Sequence, residues 1–276
     1  MALTVRTNAT AESALINLNK TSRALQRSFE RLSSGKRIAR AADDAAGLGA
    51  AEKLHAASTS ATVAARNVND GISIISVAEG AANEVGSILI RMRELAIQGA
   101  SETLSSSDRA YVQDEFVSLS QEVDRIANVT EYNGTKLADG VITSLDVQVG
   151  IQATGNDVIS ITTGDLTAAT LTVDTTTIDM STATGASAAL ADIDAGIELV
   201  SGYRSDFGAV ENRLGNALNN LETFATATLS AESRIRDADF GLETARLTQN
   251  QVLQQAGVSV LSQAKGINQG ALSLLQ

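Results

Sequence analysis

Residues 15–32, LINLNKTSRALQRSFERL, set Leu15, Leu18, Leu25, Phe29 and Leu32 in a three-four alternation, with Ser22 in the one polar slot. Residues 253–274, LQQAGVSVLSQAKGINQGALSL, repeat it with Leu253, Ala256, Val260, Ala264, Ile267, Ala271 and Leu274 at steps of three or four. Such spacing lays one continuous stripe along an α-helix. Chain ends usually fray, so two striped ends read as paired docking surfaces. That points to assembly before it points to catalysis.

Composition supports thin helical packing. Of the 276 residues 43% are apolar but only 3% aromatic, and Trp is absent, so Ala, Leu, Val and Ile do the packing. Close helix–helix seams suit that palette better than a thick globular centre. There is no proline to break a helix and no cysteine to form a disulfide. A net charge of −11 argues against nucleic acid as the main partner. The first forty residues nevertheless carry Arg6, Lys20, Arg23, Arg27, Arg31, Lys36, Arg37 and Arg40 against Glu12 and Glu30. That excess reads as a solvated or subunit-facing helix surface rather than a nucleic-acid arm. The N-terminus lacks the apolar core of a cleavable signal peptide, and no run approaches the ~18 apolar residues of a membrane span.

The spacing predicts a helix over 3–34 ending at Gly35, then a polar break with Asp43 or Asp44 capping the next helix. Ile72, Ile75, Ala82, Val85, Leu89, Met92 and Ala96 form a long seam, and SETLSSSD (101–108) breaks it. Ser107 or Asp108 is placed to cap a third helix carrying Val112, Phe116, Leu119, Val123 and Ile126. From about Glu131 the period changes. Leu145, Val147 and Val149, then Ile159 and Ile161, alternate around a turn-like ATGND (153–157), which reads as a β-hairpin. Residues 163–187, rich in Thr, Ser, Ala and Gly, read as the least structured stretch, with a strand option at 171–173. Helical order returns at Ala188 with Ile193, Ile197, Val200, Phe207, Leu214, Leu221, Phe224 and Thr228; Gly202, Gly208 and Gly215 interrupt it, and close helix packing is the expected reason. The fold class is therefore mostly α: a long antiparallel bundle or coiled coil built from both termini, with a small β-hairpin region mid-chain.

Several ordered motifs now carry a resemblance. They are RLSSGKRIARAADDAAGL (31–48), RNVNDGISIISVAEGAANEV (66–85), RMRELAIQGA (91–100), EVDRIANVTEYNGTKL (122–137), SRIRDADF (233–240), QVLQQAGVSVLSQA (251–264) and the ending LSLLQ. The chain resembles a bacterial flagellin over nearly its whole length. The resemblance implies a flagellar filament subunit for swimming motility, self-assembled through its terminal helices. It implies residues 1–42 and 234–276 as the helices of an inner core, and 43–140 and 188–233 as the helical parts of an outer core domain. Residues 141–187 are then the hairpin and a short variable segment, too short for a separate outer domain. A helical polymer follows from a head-to-tail contact that does not close. Also implied are unfolded export through the flagellar type III system, an extracellular location, an export chaperone, a filament cap, a hook-associated junction protein, and recognition by the animal Toll-like receptor for flagellin. A hook–filament junction protein of the same superfamily is the alternative; an enzyme or a soluble coiled-coil adaptor are rivals of other classes.

For assembly the stripe residues Leu15, Leu18, Leu25, Phe29, Leu32, Leu253, Ala256, Val260, Ile267 and Leu274 are the candidates. RMRELAIQ carries over Arg91 and Leu95, and VQDEF carries Glu115, as receptor contacts; Arg91 and Leu95 are expected to share a strip apart from Met92 and Ala96. The lone His55 reads as a helix-surface residue. The pairs Asp43/Asp44 and Asp237/Asp239 stand before helices and read as caps rather than metal ligands. No nucleophile–histidine pairing or phosphate loop appears, so no catalytic residue, cofactor or metal is expected.

Overall fold

The computed structural model describes residues 8–273 except 153, with side chains through Gly266. Leu274 lies outside the described residues, as do the side chains of Ile267 and Ala271. The chain divides into two compact units, residues 1–58 with 226–276, and residues 59–225. Among the described residues five helices run α1 Ala9–Ser34, α2 Ala45–Ala100, α3 Ser106–Val129, α4 Ala183–Arg236 and α5 Phe240–Ser273. Between α3 and α4 lie four short strands: β1 Glu131–Tyr132, β2 Thr135–Lys136, β3 Ser144–Gln148 and β4 Val158–Thr162.

In the 1–58/226–276 unit, α1 starts where Asn8 accepts from the Ala11 N–H at 3.0 Å and stops at Gly35, whose φ of +69° turns the chain out of the helix. α5 runs antiparallel to it. The Asn8 side chain donates to the Ala264 carbonyl at 3.0 Å, while Arg31 lies 3.8 Å from Glu243 at the other end.

The 59–225 unit holds a continuous apolar core. Ile75, Ala82, Val85, Leu89, Met92 and Ala96 of α2 are buried, as are Val112, Phe116 and Val123 of α3 and Ile193, Val200, Phe207 and Leu214 of α4. α2 is long and apolar enough, by length and composition, to cross a membrane. This is more than the sequence reading allowed, but the buried residues recur every three to four positions, the spacing of a helix packed against protein. β3 and β4 pair antiparallel with Val147 opposite Ile159, and these two side chains face the core. β1 and β2 form a second hairpin that the sequence reading missed. Its Asn133 and Gly134 both have positive φ (49° and 78°), the conformation a two-residue turn requires.

Four expectations need correction. The cap of α3 is Ser105, in a reciprocal capping box with Asp108, because the hydroxyl reaches the Asp108 N–H and the carboxylate returns to the Ser105 N–H. Residues 163–182 are not loose, and 171–173 is not a strand. Leu166, Ala168, Leu171, Val173, Ile178 and Met180 are buried, and the backbone donates from Ala168 to Asp124 (2.8 Å) and from Met180 to Gln113 (2.7 Å) on α3. α4 begins at Ala183, five residues before the expected start. Finally, Gly202, Gly208 and Gly215 face open space within the subunit. The close approaches on α4 are at Gly185, against the Asp179 carbonyl oxygen, and at Gly196, where a Cβ would lie 2.8 Å from the Leu171 carbonyl oxygen.

Candidate assembly surface

The α1–α5 pair is turned inside out. Toward α1, α5 presents Glu243, Leu247, Asn250, Gln254, Gly257, Leu261 and Ala264 at alternating steps of four and three, all buried or half-buried. α1 answers with Ala11, Ala14, Leu18, Ser22, Leu25, Ser28 and Leu32 in the same state. The seam interleaves five leucines with small and polar residues. A Cβ at Gly257 would sit 3.3 Å from Leu18 Cδ1, and the Gln254 amide reaches the Ser22 hydroxyl at 3.5 Å.

From Leu253 to Val260 the apolar stripe of α5 therefore lies one position away from the seam, which it joins at Ala264. Leu253 (49%) and Val260 (56%) are exposed, as is Ala256, and Phe240, Leu242, Val252 and Val258 add further uncovered apolar surface. On α1 the stripe divides: Leu18, Leu25 and Leu32 enter the seam, whereas Leu15 and Phe29 (51%) are exposed, and Ile16 beside the stripe is exposed too. Large contiguous apolar surfaces on soluble proteins mark interaction sites.

The two polar joints bind each other. The Arg37 N–H donates to the Arg236 carbonyl (2.6 Å), the Ala238 N–H to the Gly35 carbonyl (2.9 Å), and Lys36 and Asp237 form an antiparallel bridge. The four aspartates serve this junction. Asp44 accepts from the Gly47 N–H (2.8 Å) at the start of α2, and Asp239 from the Leu242 N–H (3.0 Å) at the start of α5. Asp43 accepts from the Ala39 and Arg40 N–H groups, and Asp237 from the Ser233 hydroxyl (2.6 Å). Sequence reasoning missed Glu243. Only 5% exposed, it lies between Arg31 (3.8 Å) and Arg246 (3.6 Å). His55 is exposed on α2, with Nδ1 3.1 Å from Glu232, itself near Arg236. Among the described residues no group of three or more His, Cys, Asp or Glu could hold a metal.

In the 59–225 unit, Arg91 donates from Nε and Nη2 to Glu115 Oε1 (3.0 and 2.8 Å) and from Nη1 to Glu94 (2.9 Å). The Glu115 hydrogen bond, then that to Glu94, raises the Arg91 pKa above its ordinary value. Leu95 does not share this surface. It is 1% exposed, because the buried arc of α2 there is broad enough to take Met92, Leu95 and Ala96 together. Spacing of four had suggested a common strip with Arg91; packing against the core removes Leu95 from it.

The comparisons with known proteins align with this layout. Residues 5–143 match the family model for the bacterial flagellin N-terminal helical region, and residues 190–275 that for the C-terminal helical region. A flagellin of Halalkalibacterium halodurans is 41% identical over 261 residues, covering 95% of this chain and 94% of the relative. Flagellin of Bacillus subtilis is 36% identical over 299 residues, with 98% of each chain covered. Flagellin D of Vibrio anguillarum is 32% identical over an alignment of 376 positions that covers both chains completely, so at least 100 of those positions face none of the 276 residues here. The crystal structure of Bacillus cereus flagellin superposes with a TM-score of 0.50 at 28% identity, covering 56% of this chain and 88% of that one. With both terminal regions matched in order, and relatives aligned almost end to end, the chain belongs to the bacterial flagellin family.

Proposed function

We propose that this structural subunit of the flagellar filament, a protein of a non-enzymatic family, polymerises by burying the exposed apolar faces of its α1–α5 pair against other copies. The observation that carries this is the inverted pair. Leu18, Leu25, Leu32, Leu247 and Leu261 share the seam with small and polar residues, while Leu15, Phe29, Leu253, Ala256 and Val260 stay in water. A Leu or Val side chain gains about 1.5–3 kcal/mol on full burial, and a lone subunit leaves that gain unused along two helices. Ile267 and Leu274 continue the same spacing and take the same role. Residues 1–42 and 234–276 are the inner core of the filament; 43–140 and 188–233 the outer core; 141–187 the hairpin with a folded connection in place of an outer domain. The filament is accordingly smooth and thin.

The subunit leaves the cell unfolded through the flagellar type III system, with a chaperone on its C-terminal tail, where Lys265 is the one charged residue after Arg246, and adds at the growing end under a filament cap beyond a junction protein. The animal Toll-like receptor for flagellin meets the free subunit at Arg91 and Glu115; Leu95 contributes by packing beneath them rather than by contact. The hook–filament junction alternative is not favoured, since the relatives matched over the whole chain are flagellins.

Seeded polymerisation of the purified full chain tests the reading. The intact chain forms filaments visible by electron microscopy. Deleting about 30 residues from either end abolishes them, while circular dichroism shows the 59–225 helices still folded. Truncated chains that polymerise as well as the intact one refute the role of the ends.

A further inference from the structure

We propose that the cationic ridge Lys20–Arg23–Arg27 on α1 is a docking strip for the carboxylate-rich 59–225 unit of a second copy of this chain. The proposal rests on the polymerisation reading above and adds an electrostatic contact to the apolar one.

Steps of three and four place the three side chains on one strip of α1, where like charges repel. All three are exposed, and among the described residues none has a carboxylate within ion-pair distance. Arg27 Nε reaches only the Arg23 carbonyl, at 3.5 Å. The cations around them are engaged: Arg40 holds Glu30 at 2.6 Å, Arg31 lies between Asp43 and Glu243, and Arg246 sits beside Glu243. Glu30, Asp43 and Glu243 are thus taken by other cations, and among the described residues the ridge is left without a paired carboxylate.

The counter-charge lies elsewhere in the same sequence. Residues 1–58 and 226–276 carry 13 Lys and Arg against 9 Asp and Glu, whereas residues 59–225 carry 8 against 23. Cations within the 59–225 unit cannot neutralise its carboxylates, so a surplus faces solvent. A polymer brings many copies of that acidic surface within reach of the ridge. Complementary charge of this kind fixes register and speeds encounter. A second copy is therefore the partner whose chemistry the ridge fits. Nucleic acid is disfavoured by the net charge of −11.

Zero-length carbodiimide coupling of assembled filaments tests it directly, because the Lys20 amine forms an amide with a carboxylate it touches, the carbodiimide taking up the water. Filaments grown from a mixture of isotope-labelled and unlabelled chains distinguish bonds between copies from bonds within one. The expected product is a mixed-isotope peptide joining Lys20 to an Asp or Glu between 59 and 225. Filaments in which Lys20 couples only within its own chain, to carboxylates outside 59–225, or not at all overturn the proposal. The double variant R23E/R27E, on an exposed helix surface, is expected to raise the critical concentration for polymerisation about ten-fold at low salt, and less at about 1 M salt where screening is short-ranged. R23Q/R27Q should fall between it and the wild type. A critical concentration unchanged at every salt also overturns the ridge. Failure of the wild-type chain to polymerise is a separate result, and removes the reading on which the ridge depends.

Discussion

The α1–α5 pair and the core of the 59–225 unit use the same kind of sequence to opposite ends. Both are helical with apolar residues three and four apart. In the core, that periodicity points inward: Leu89, Met92 and Phe116 are fully buried, although Ile90 and Ile97 of α2 stay exposed on the outside. In the end pair it points outward on α5, where Leu253 and Val260 are uncovered while Asn250 and Gln254 line the seam. The difference teaches that a stripe reports what a helix will bury, not which neighbour it will bury it against. A stripe satisfied within one chain makes a core; one left uncovered is available for burial against another copy.

The largest expected effect breaks the comparison at its centre. Phe116→Ala empties a fully buried site and should cost the 59–225 unit about 3–5 kcal/mol, read as a lower urea midpoint of the full chain. Leu253→Ala removes a half-exposed side chain and should leave monomer stability within about 0.5 kcal/mol. Its effect appears instead in assembly, where losing about 1.5–3 kcal/mol of burial per contact raises the critical concentration ten-fold or more. Equal behaviour of the two variants in both assays would sink the distinction between a core stripe and an assembly stripe.

How far the sequence foretold this follows from where each signal resides. The seams of α2 and α3 were legible because alternating polarity encodes burial inside one unit. The joint aspartates were legible as polar residues before helices, although Asp43 and Asp237 turned out to hold the joint. The facing side of α5 was not legible: Gly257, Asn250 and Gln254 carry no apolar signal, and only the antiparallel partner reveals that they are covered. Residues 163–182 were illegible for a related reason. Their Thr-rich composition reads as loop, but their order comes from acceptors far back in the chain, Asp124 and Gln113. Leu95 was misplaced because spacing gives an angle around the helix but not the width of the buried arc.

A smaller effect sharpens the comparison along α4, where two glycines differ only in surroundings. Gly196→Ala pushes a methyl to 2.8 Å from the Leu171 carbonyl and should destabilise the subunit by about 1–3 kcal/mol. Gly202 has nothing within 4 Å of a Cβ, so Gly202→Ala should stabilise it by about 0.5–1 kcal/mol, the ordinary gain over glycine in a helix. Thermal denaturation of both variants reads the pair. If Gly202→Ala raises the melting temperature yet weakens polymerisation, the open face of α4 is closely covered between copies. If it raises both, that face stays in water, and the uncovered surface used for assembly is confined to the ends.

The smallest effect concerns charge on the 59–225 unit. Arg93 donates to Asp194 from Nε at 2.6 Å and from Nη2 at 3.4 Å, linking α2 to α4. That hydrogen bond, opposed by slight desolvation and aided by the Arg93 charge, holds the Asp194 carboxyl below its ordinary pKa. A carboxylate depressed in the folded state stabilises it above the unfolded pKa of about 3.9, and the contribution is lost as pH falls through the lower folded value. Asp194→Asn should therefore show a small stability deficit that is level from pH 7 to about 5 and closes below about pH 4. Added salt should shrink the deficit at pH 7, since both groups are exposed. Urea unfolding of the full chain from pH 7 to 2 measures this. A deficit that persists undiminished at pH 2 means that Asp194 acts through shape rather than charge. The acidic surface would then contribute to contacts between copies and not to the fold of the unit that bears it.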